Sequence, residues 1–231
     1  MSIPILILGD SGTGKSTSLR NFKKGEAVVV NVLGKPLPFR GEIEAVSIPA
    51  FEANAAKAKG SRPLKIDGVR AYLTRDTPYK AVVVDDFGYV ITDMFMRWTV
   101  GEEKFKDQFQ VYKEIAGKVW NLLSDVMADG KVDRIVYFVM HTETENDGSV
   151  VPMTVGRLLN EKVNIKGLCT CIFQSAVAGD EYVFVTNNGN PAKSPLGMFG
   201  ERTVPNDLRA IDATIRDYYG YPQLDSEGGG E

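Results

Sequence analysis

Histidine and cysteine are almost absent: the chain holds one His and two Cys. A structural zinc site draws four ligands, mostly from those two residue types, and a disulfide framework needs several spaced cysteines, so neither organises this chain. Cys169 and Cys171 stand two apart in an apolar run, too close along a strand to bridge comfortably and on one face of it; they are expected as reduced core thiols. Long hydrophobic runs are missing as well. Nothing approaches the roughly 20 apolar residues that cross a bilayer, and the apolar start Ile3–Leu8 carries neither a basic leader nor a cleavage site. A cytoplasmic protein with no membrane partner is expected. Neither sign of charge dominates: Lys and Arg number 27 against 30 Asp and Glu, a net of -3. The bulk field does not advertise nucleic-acid binding, although a local basic loop could supply it.

What is present is the material for one α/β domain. With 231 residues and 43% hydrophobic content, the chain can bury a core without staples. Short β-branched runs at Ile3–Leu8, Ala27–Val32, Ala81–Val84 and Arg134–Met140 have the profile of buried parallel strands. Between them lie helical patterns. Lys15 to Phe22 turns Leu19 and Phe22 inward and ends in Lys23-Lys24-Gly25, a basic stretch with a glycine cap. Val90, Met94 and Trp98 mark a second helix, and Phe105–Met127, with apolar residues at spacings of three and four, a third. Leu168–Ala176 and Tyr182–Thr186 read as a hairpin-like pair around Gly179-Asp180, and Asn206–Tyr219 as a capped helix closed by Gly220. Residues 33–78, punctuated by Gly and Pro, read as a crossover with one helix near Ala50–Lys59. Strand and helix in alternation imply a mostly parallel central sheet with helices on both faces, mixed at the edge formed by the hairpin pair. Residues 1–222 are expected to form this domain, and residues 223–231 an acidic, glycine-rich flexible tail.

The first strand runs straight into Gly9-Asp10-Ser11-Gly12-Thr13-Gly14-Lys15-Ser16, two glycines four residues apart followed by Lys and Ser, with a further glycine between them. That is the phosphate-loop pattern, and it stands between a strand and a helix, as the pattern requires. A triphosphate needs several backbone N–H donors aimed inward, which glycines permit and a following helix N-terminus extends. Lys15 is expected on the β- and γ-phosphates, Ser16 on Mg²⁺, and Thr17 near the α-phosphate.

The second half of such a site is an aspartate ending another apolar strand, and Ala81–Val84 ends in Asp85-Asp86. Asp85 is expected at the magnesium. Neighbours on a strand point to opposite faces, so Asp86 is assigned a different role, orienting or activating the attacking water; a helix N-cap is its bland alternative. His141 and Thr142 follow the strand Arg134–Met140 and fall where ligands gather in α/β sheets. They are candidate sensors of the γ-phosphate.

In order and pattern, Ile3–Ser16, Val82–Asp86, Phe138-Val139-Met140-His141 and Asn190-Pro191-Ala192-Lys193-Ser194 resemble the RecA-like P-loop ATP-binding proteins of bacteriophages, AAA-family or single-strand-annealing ATPases. The resemblance implies a RecA-like core, ATP with Mg²⁺, work on single-stranded DNA in recombination or replication in the host cytoplasm, and a homo-oligomer whose ATP site lies at a subunit interface. It makes Lys193 the residue that would complete the neighbour's site in trans. RecA-like proteins carry a catalytic glutamate after the second strand; Glu42 and Glu44 are both open for that part. The stretch from Thr142 to about Val155 would face DNA, yet it contains Glu143, Glu145 and Asp147 and no lysine. Carboxylates repel phosphates, which leaves Lys162 and Lys166, just beyond, as the nearest basic candidates.

Three other functions share the phosphate loop. A GTPase would use Asp85-Asp86-Phe87-Gly88 as its Asp-x-x-Gly segment, but an Asn-Lys-x-Asp guanine reader occurs nowhere in the chain. A small-molecule kinase needs an arginine-rich lid, whereas arginines here are scattered singly. A nucleotide-gated interaction module would turn ATP over slowly and use the acidic tail for partners.

Overall fold

The computed structural model describes residues 2–59, 62–101, 105–187 and 189–224. β1 (Ile3–Gly9) lies inside the sheet, and its Ile5, Leu6, Ile7 and Leu8 have no exposed surface. It is flanked by β5 (Ile135–Thr144) and β7 (Cys171–Ala178), both parallel to it. Beyond β5 come β4 (Ala81–Asp85), β2 (Ala27–Asn31) and the edge strand β3 (Glu44–Ser47), all parallel. Beyond β7 come β8 (Glu181–Val185) and β9 (Thr203–Pro205), which are antiparallel. Among the described residues the order is thus β3-β2-β4-β5-β1-β7-β8-β9, with β6 (Val150–Pro152) folding back on the outer end of β5. The mostly parallel sheet with one mixed edge is the expected one.

Side chains alternate across a strand, so the apolar runs feed two separate cores. Leu6, Leu8, Val82, Val84, Val136 and Phe138 pack beneath α2 (Lys65–Thr74), α3 (Gly88–Thr99) and α4 (Gln108–Ala128). Ile5, Ile7, Val29, Val83, Tyr137 and Val139 pack on the other face with Leu19, Phe22 and α6 (Leu208–Tyr219). Burial of each large aliphatic side chain stabilises by about 1.5–3 kcal/mol, and this two-sided demand explains why the strands are apolar without alternation. The helices stop and start where the chain carries caps. Asp107 accepts from the Phe109 N–H at the start of α4, Asp207 accepts from Arg209 and Ala210 N–H at the start of α6, and Gly220 closes α6 at φ 65°.

Several boundaries differ from expectation. The segment after the phosphate loop is a six-residue 3₁₀ turn, Ser16–Asn21, and not an α-helix reaching Phe22 and capped by Gly25. Its Ser-Thr-Ser start is a weak helix former whose hydroxyls compete for backbone groups: Ser18 Oγ donates to the Lys15 carbonyl at 2.6 Å. Phe22 then turns extended and drops into the core. The crossover 33–78 holds β3 and two helices, α1 (Ile48–Lys59) and α2, where a single helix was expected. Buried Glu52 explains the second helix, because Lys65 at its start and Arg97 of α3 both pair with that carboxylate. β7 starts at Cys171, after the short helix α5 (Ile165–Leu168), so Cys169 and Cys171 do not share a strand face; they enter opposite cores. Both are free, with burial pushing each thiol up to about 12. Gln223 and Leu224, assigned to the tail, pack back on the body, Gln223 through the Ala213 carbonyl at 3.2 Å and Leu224 against the second core. The rest of the expected tail, from Asp225 on, lies outside the described residues. No helix among them is long and apolar enough to cross a membrane.

Candidate functional site

Three neighbouring strands deliver their carboxyl ends to one place. Gly9 of β1 is in register with His141 of β5, and β4, on the far side of β5, ends in Asp85. Ligands of open α/β sheets collect outside such ends. Here lies an open cleft of about 420 Å³ lined by the phosphate loop together with Pro38, Asp86, His141 and Tyr182, within the range of small-ligand sites.

Two positions of the loop require glycine. A Cβ on Gly9 would stand 2.7 Å from both the Ser175 carbonyl oxygen and Thr13 Oγ1. Gly14 has φ 89° and lies against the Tyr182 ring and the Asn206 side chain. The far side of the loop is braced by Ser175 of β7, whose hydroxyl donates to the Thr13 carbonyl and accepts from Asn206 Nδ2 at 3.3 Å. On the near side, Thr142 Oγ1 donates to the Asp10 carboxylate.

Lys15 is 7% exposed and folded back, its ammonium donating to the Gly9 and Asp10 carbonyls at 2.8 and 2.6 Å. Burial lowers its pKa, against the raising fields of Asp86, Asp85 and Asp10. Its Nζ stands 3.4 Å from His141 Nδ1. With Nδ1 facing a cation, the imidazole proton is assigned to Nε2, which points at Asp86 Oδ1 at 3.7 Å. Burial first, then Lys15, hold the His141 pKa below its usual value, so the ring is neutral at neutral pH.

Ser16 Oγ donates to Asp85 Oδ1 at 3.1 Å. Burial, then the charge of Asp86, push the Asp85 carboxyl up to about 6. A hydroxyl and a carboxylate side by side form an oxygen donor set of the kind a hard cation takes, and with the Gly9 cradle they fit magnesium and a polyphosphate. Asp86 does not point to the opposite face as expected. It has left the strand, with φ 61°, a conformation rare outside glycine, and its carboxylate lines the cleft, where its charge acts on Asp85. It does not cap a helix either, since α3 begins after Phe87 without a side-chain cap.

The site residues expected from the sequence therefore divide. The loop from Gly9 to Thr17, Asp85, Asp86, His141 and Thr142 come together. Glu44 pairs with Val28 near the amino end of β2 and Glu42 precedes it exposed, so neither reaches the carboxyl ends. Lys193 is tied by backbone hydrogen bonds of 2.8 and 3.0 Å to Ile172, whose strand partner is Leu6, below the loop. Its own chain's cleft does not include it. His141 and Thr142 are inside β5, which runs on to Thr144 and pairs with β6, so the supposed DNA-facing loop is a hairpin. A second cleft of about 400 Å³ at that hairpin is lined by Glu143, Glu145, Asp147 and Glu161 with Arg157, a setting that repels polyphosphate. Sequence reasoning missed Pro38, Tyr182 and the braces Ser175 and Asn206. Only the pairing of β7 with β8 brings Tyr182 to the loop.

The model of the AAA domain family matches residues 1–196, most of the chain, and the chain belongs to that family of P-loop nucleotide-binding ATPases. No curated protein matches it. Among solved structures, a KaiC-like protein from the hyperthermophilic archaeon Pyrococcus horikoshii is similar at 11% identity, with 83% of each chain covered and a TM-score of 0.39.

Proposed function

We propose that this member of the AAA domain family is a magnesium-dependent ATPase that works on single-stranded DNA. One observation carries the ATPase reading: the Ser16–Asp85 pair and the Lys15 ammonium converge on a glycine cradle at the end of β1. In this reading Lys15 leaves the Gly9 and Asp10 carbonyls for the β- and γ-phosphates, while the loop amides and Thr17 hold the rest of the polyphosphate. Ser16 and Asp85 would hold magnesium, which would supply positive charge against the phosphate oxygens. Asp86 accepts a proton from the attacking water and Nε2–H of His141 orients that carboxylate. Thr142, tied to Asp10, reports the loop's position to β5. Tyr182, 52% exposed beside Gly14, offers the base a ring to stack on.

Single-stranded DNA, a phage recombination or replication role and a ring or filament with Lys193 acting in trans rest on the family resemblance of the sequence. The acidic β5–β6 hairpin argues that DNA, if bound, meets another surface. Calorimetry of ATP and GTP with and without magnesium, on wild type and Lys15→Ala, tests the core reading; absence of magnesium-dependent uptake by wild type sinks it. ATPase rate with and without single-stranded DNA tests the polymer. Mixing Lys193→Ala with Lys15→Ala subunits tests the trans role, with no recovered activity as the adverse result.

A further inference from the structure

The cleft is poor in positive charge for what it is proposed to do. Asp10, Asp85 and Asp86 act on Lys15, and a polyphosphate adds more negative charge, which grows on the leaving oxygen during hydrolysis. Among the described residues that line the cleft, Lys15 is the one cation. A second cation stands at the rim. Lys35 Nζ is 3.8 Å from Asp86 Oδ2 and 5.5 Å from the centre of the Tyr89 ring. Besides Lys15, it is the cation whose field lowers the His141 pKa.

The backbone around Lys35 is built to hold it there. Asn31 ends β2 directly opposite Asp85. Its side chain closes the following turn from both sides, Nδ2 donating to the Lys35 carbonyl and Oδ1 accepting from the Gly34 N–H, each at 2.7 Å. Gly34 adopts φ 70° against Pro49 and Ser47, so the turn has little room to drift. The lysine side chain itself is 65% exposed. An exposed pair at that separation contributes little stability, and the ammonium is therefore free to exchange Asp86 for a better anion.

We propose that Lys35 is a phosphate-binding cation supplied in cis: when Asp86 turns to the attacking water, Lys35 moves to the γ-phosphoryl oxygens, opposite Lys15. This rests on the ATP reading above. It makes Lys35 a discriminator between triphosphate and diphosphate, since ADP offers nothing at that position.

The test is titration of the full chain in magnesium with ADP and with a non-hydrolysable ATP analogue, for wild type, Lys35→Ala and Lys35→Arg. Loss of one charge-assisted contact to phosphate predicts that Lys35→Ala weakens the analogue about tenfold and moves ADP by less than about twofold. Lys35→Arg should recover most of the difference. Equal effects on both nucleotides, or none, overturn the proposal while leaving the ATP reading intact. Failure of wild type to bind either nucleotide removes both. Repeating Lys35→Ala on an Asp86→Asn background separates direct contact from action through Asp86: the selective loss persists if Lys35 touches phosphate, and its disappearance there refutes direct contact.

Discussion

Replacing Asp85 by asparagine should make the nucleotide-free protein more stable, and the expected size follows from the burial of that carboxylate. Asp85 is 7% exposed, and burial, helped by the Asp86 charge, raises its pKa from 3.8 to about 6. A group that holds its proton more tightly when folded loses stability as pH climbs from its unfolded value through its folded one. The ionised carboxylate therefore opposes folding at neutral pH. A shift of roughly two units at about 1.4 kcal/mol each sets a ceiling near 3 kcal/mol. Asparagine keeps the shape and an oxygen to accept the Ser16 hydroxyl, without the charge. For a chain of this length the gain corresponds to a rise of about 3–10 °C in the unfolding midpoint at neutral pH. Thermal unfolding by circular dichroism across a pH series is the assay. The gap between variant and wild type should be small near the ordinary carboxylate pKa, open as pH rises through about 6, and stay constant above that. Magnesium with ATP should raise the midpoint of wild type and not that of the variant. A variant less stable than wild type at neutral pH, or a gap indifferent to pH, would refute the reasoning.

Gly9→Ala should abolish nucleotide uptake, because its methyl meets the Ser175 carbonyl at 2.7 Å; unchanged binding by calorimetry would show that the loop can relax around it. His141→Ala is expected to lower ATP turnover by about 10²-fold or more if the ring orients Asp86, with turnover equal to wild type as the contrary result. Arg209 pairs with Glu26, which has no exposed side chain. Burial alone would raise the Glu26 pKa, but the Arg209 hydrogen bonds, the Lys23 N–H and the two positive charges outweigh it and hold the carboxyl below its usual value. The Lys23 N–H still donates to Glu26 at 2.8 Å and Arg209 is 38% exposed, so Arg209→Ala should destabilise by about 1–3 kcal/mol, the loss of hydrogen bonds to a charged group; denaturant melts that show no change would speak against the pairing.

The sheet was legible because its signal is local. Four uninterrupted apolar runs and a phosphate-loop pattern define β1, β2, β4 and β5 before any contact is known. The edge strand β3 was not legible, since Glu44-Ala45-Val46-Ser47 has no periodic apolar face and is a strand only because β2 offers it partners. Asp86 was misdirected by a rule that holds for regular strands and fails at one residue with positive φ. Lys35 and Tyr182 join the site through a turn closed by Asn31 and through a hairpin register, neither of which leaves a motif. Lys193 was drawn from a family pattern, and its carbonyl and amide are spent on Ile172, below the phosphate loop.

β5 continues without a glycine from His141 to Thr144, and the Met153 N–H binds the His141 carbonyl at 2.8 Å as the hairpin returns. His141 at the cleft and the acidic turn of the hairpin are thus joined by one continuous strand, β5, held by its pairing with β6. Backbone continuity makes the hairpin amides a reporter of the cleft: a change in the β5 backbone at His141 on adding magnesium and ATP would alter hydrogen exchange at Thr144 and Val150 as well, which pair with each other.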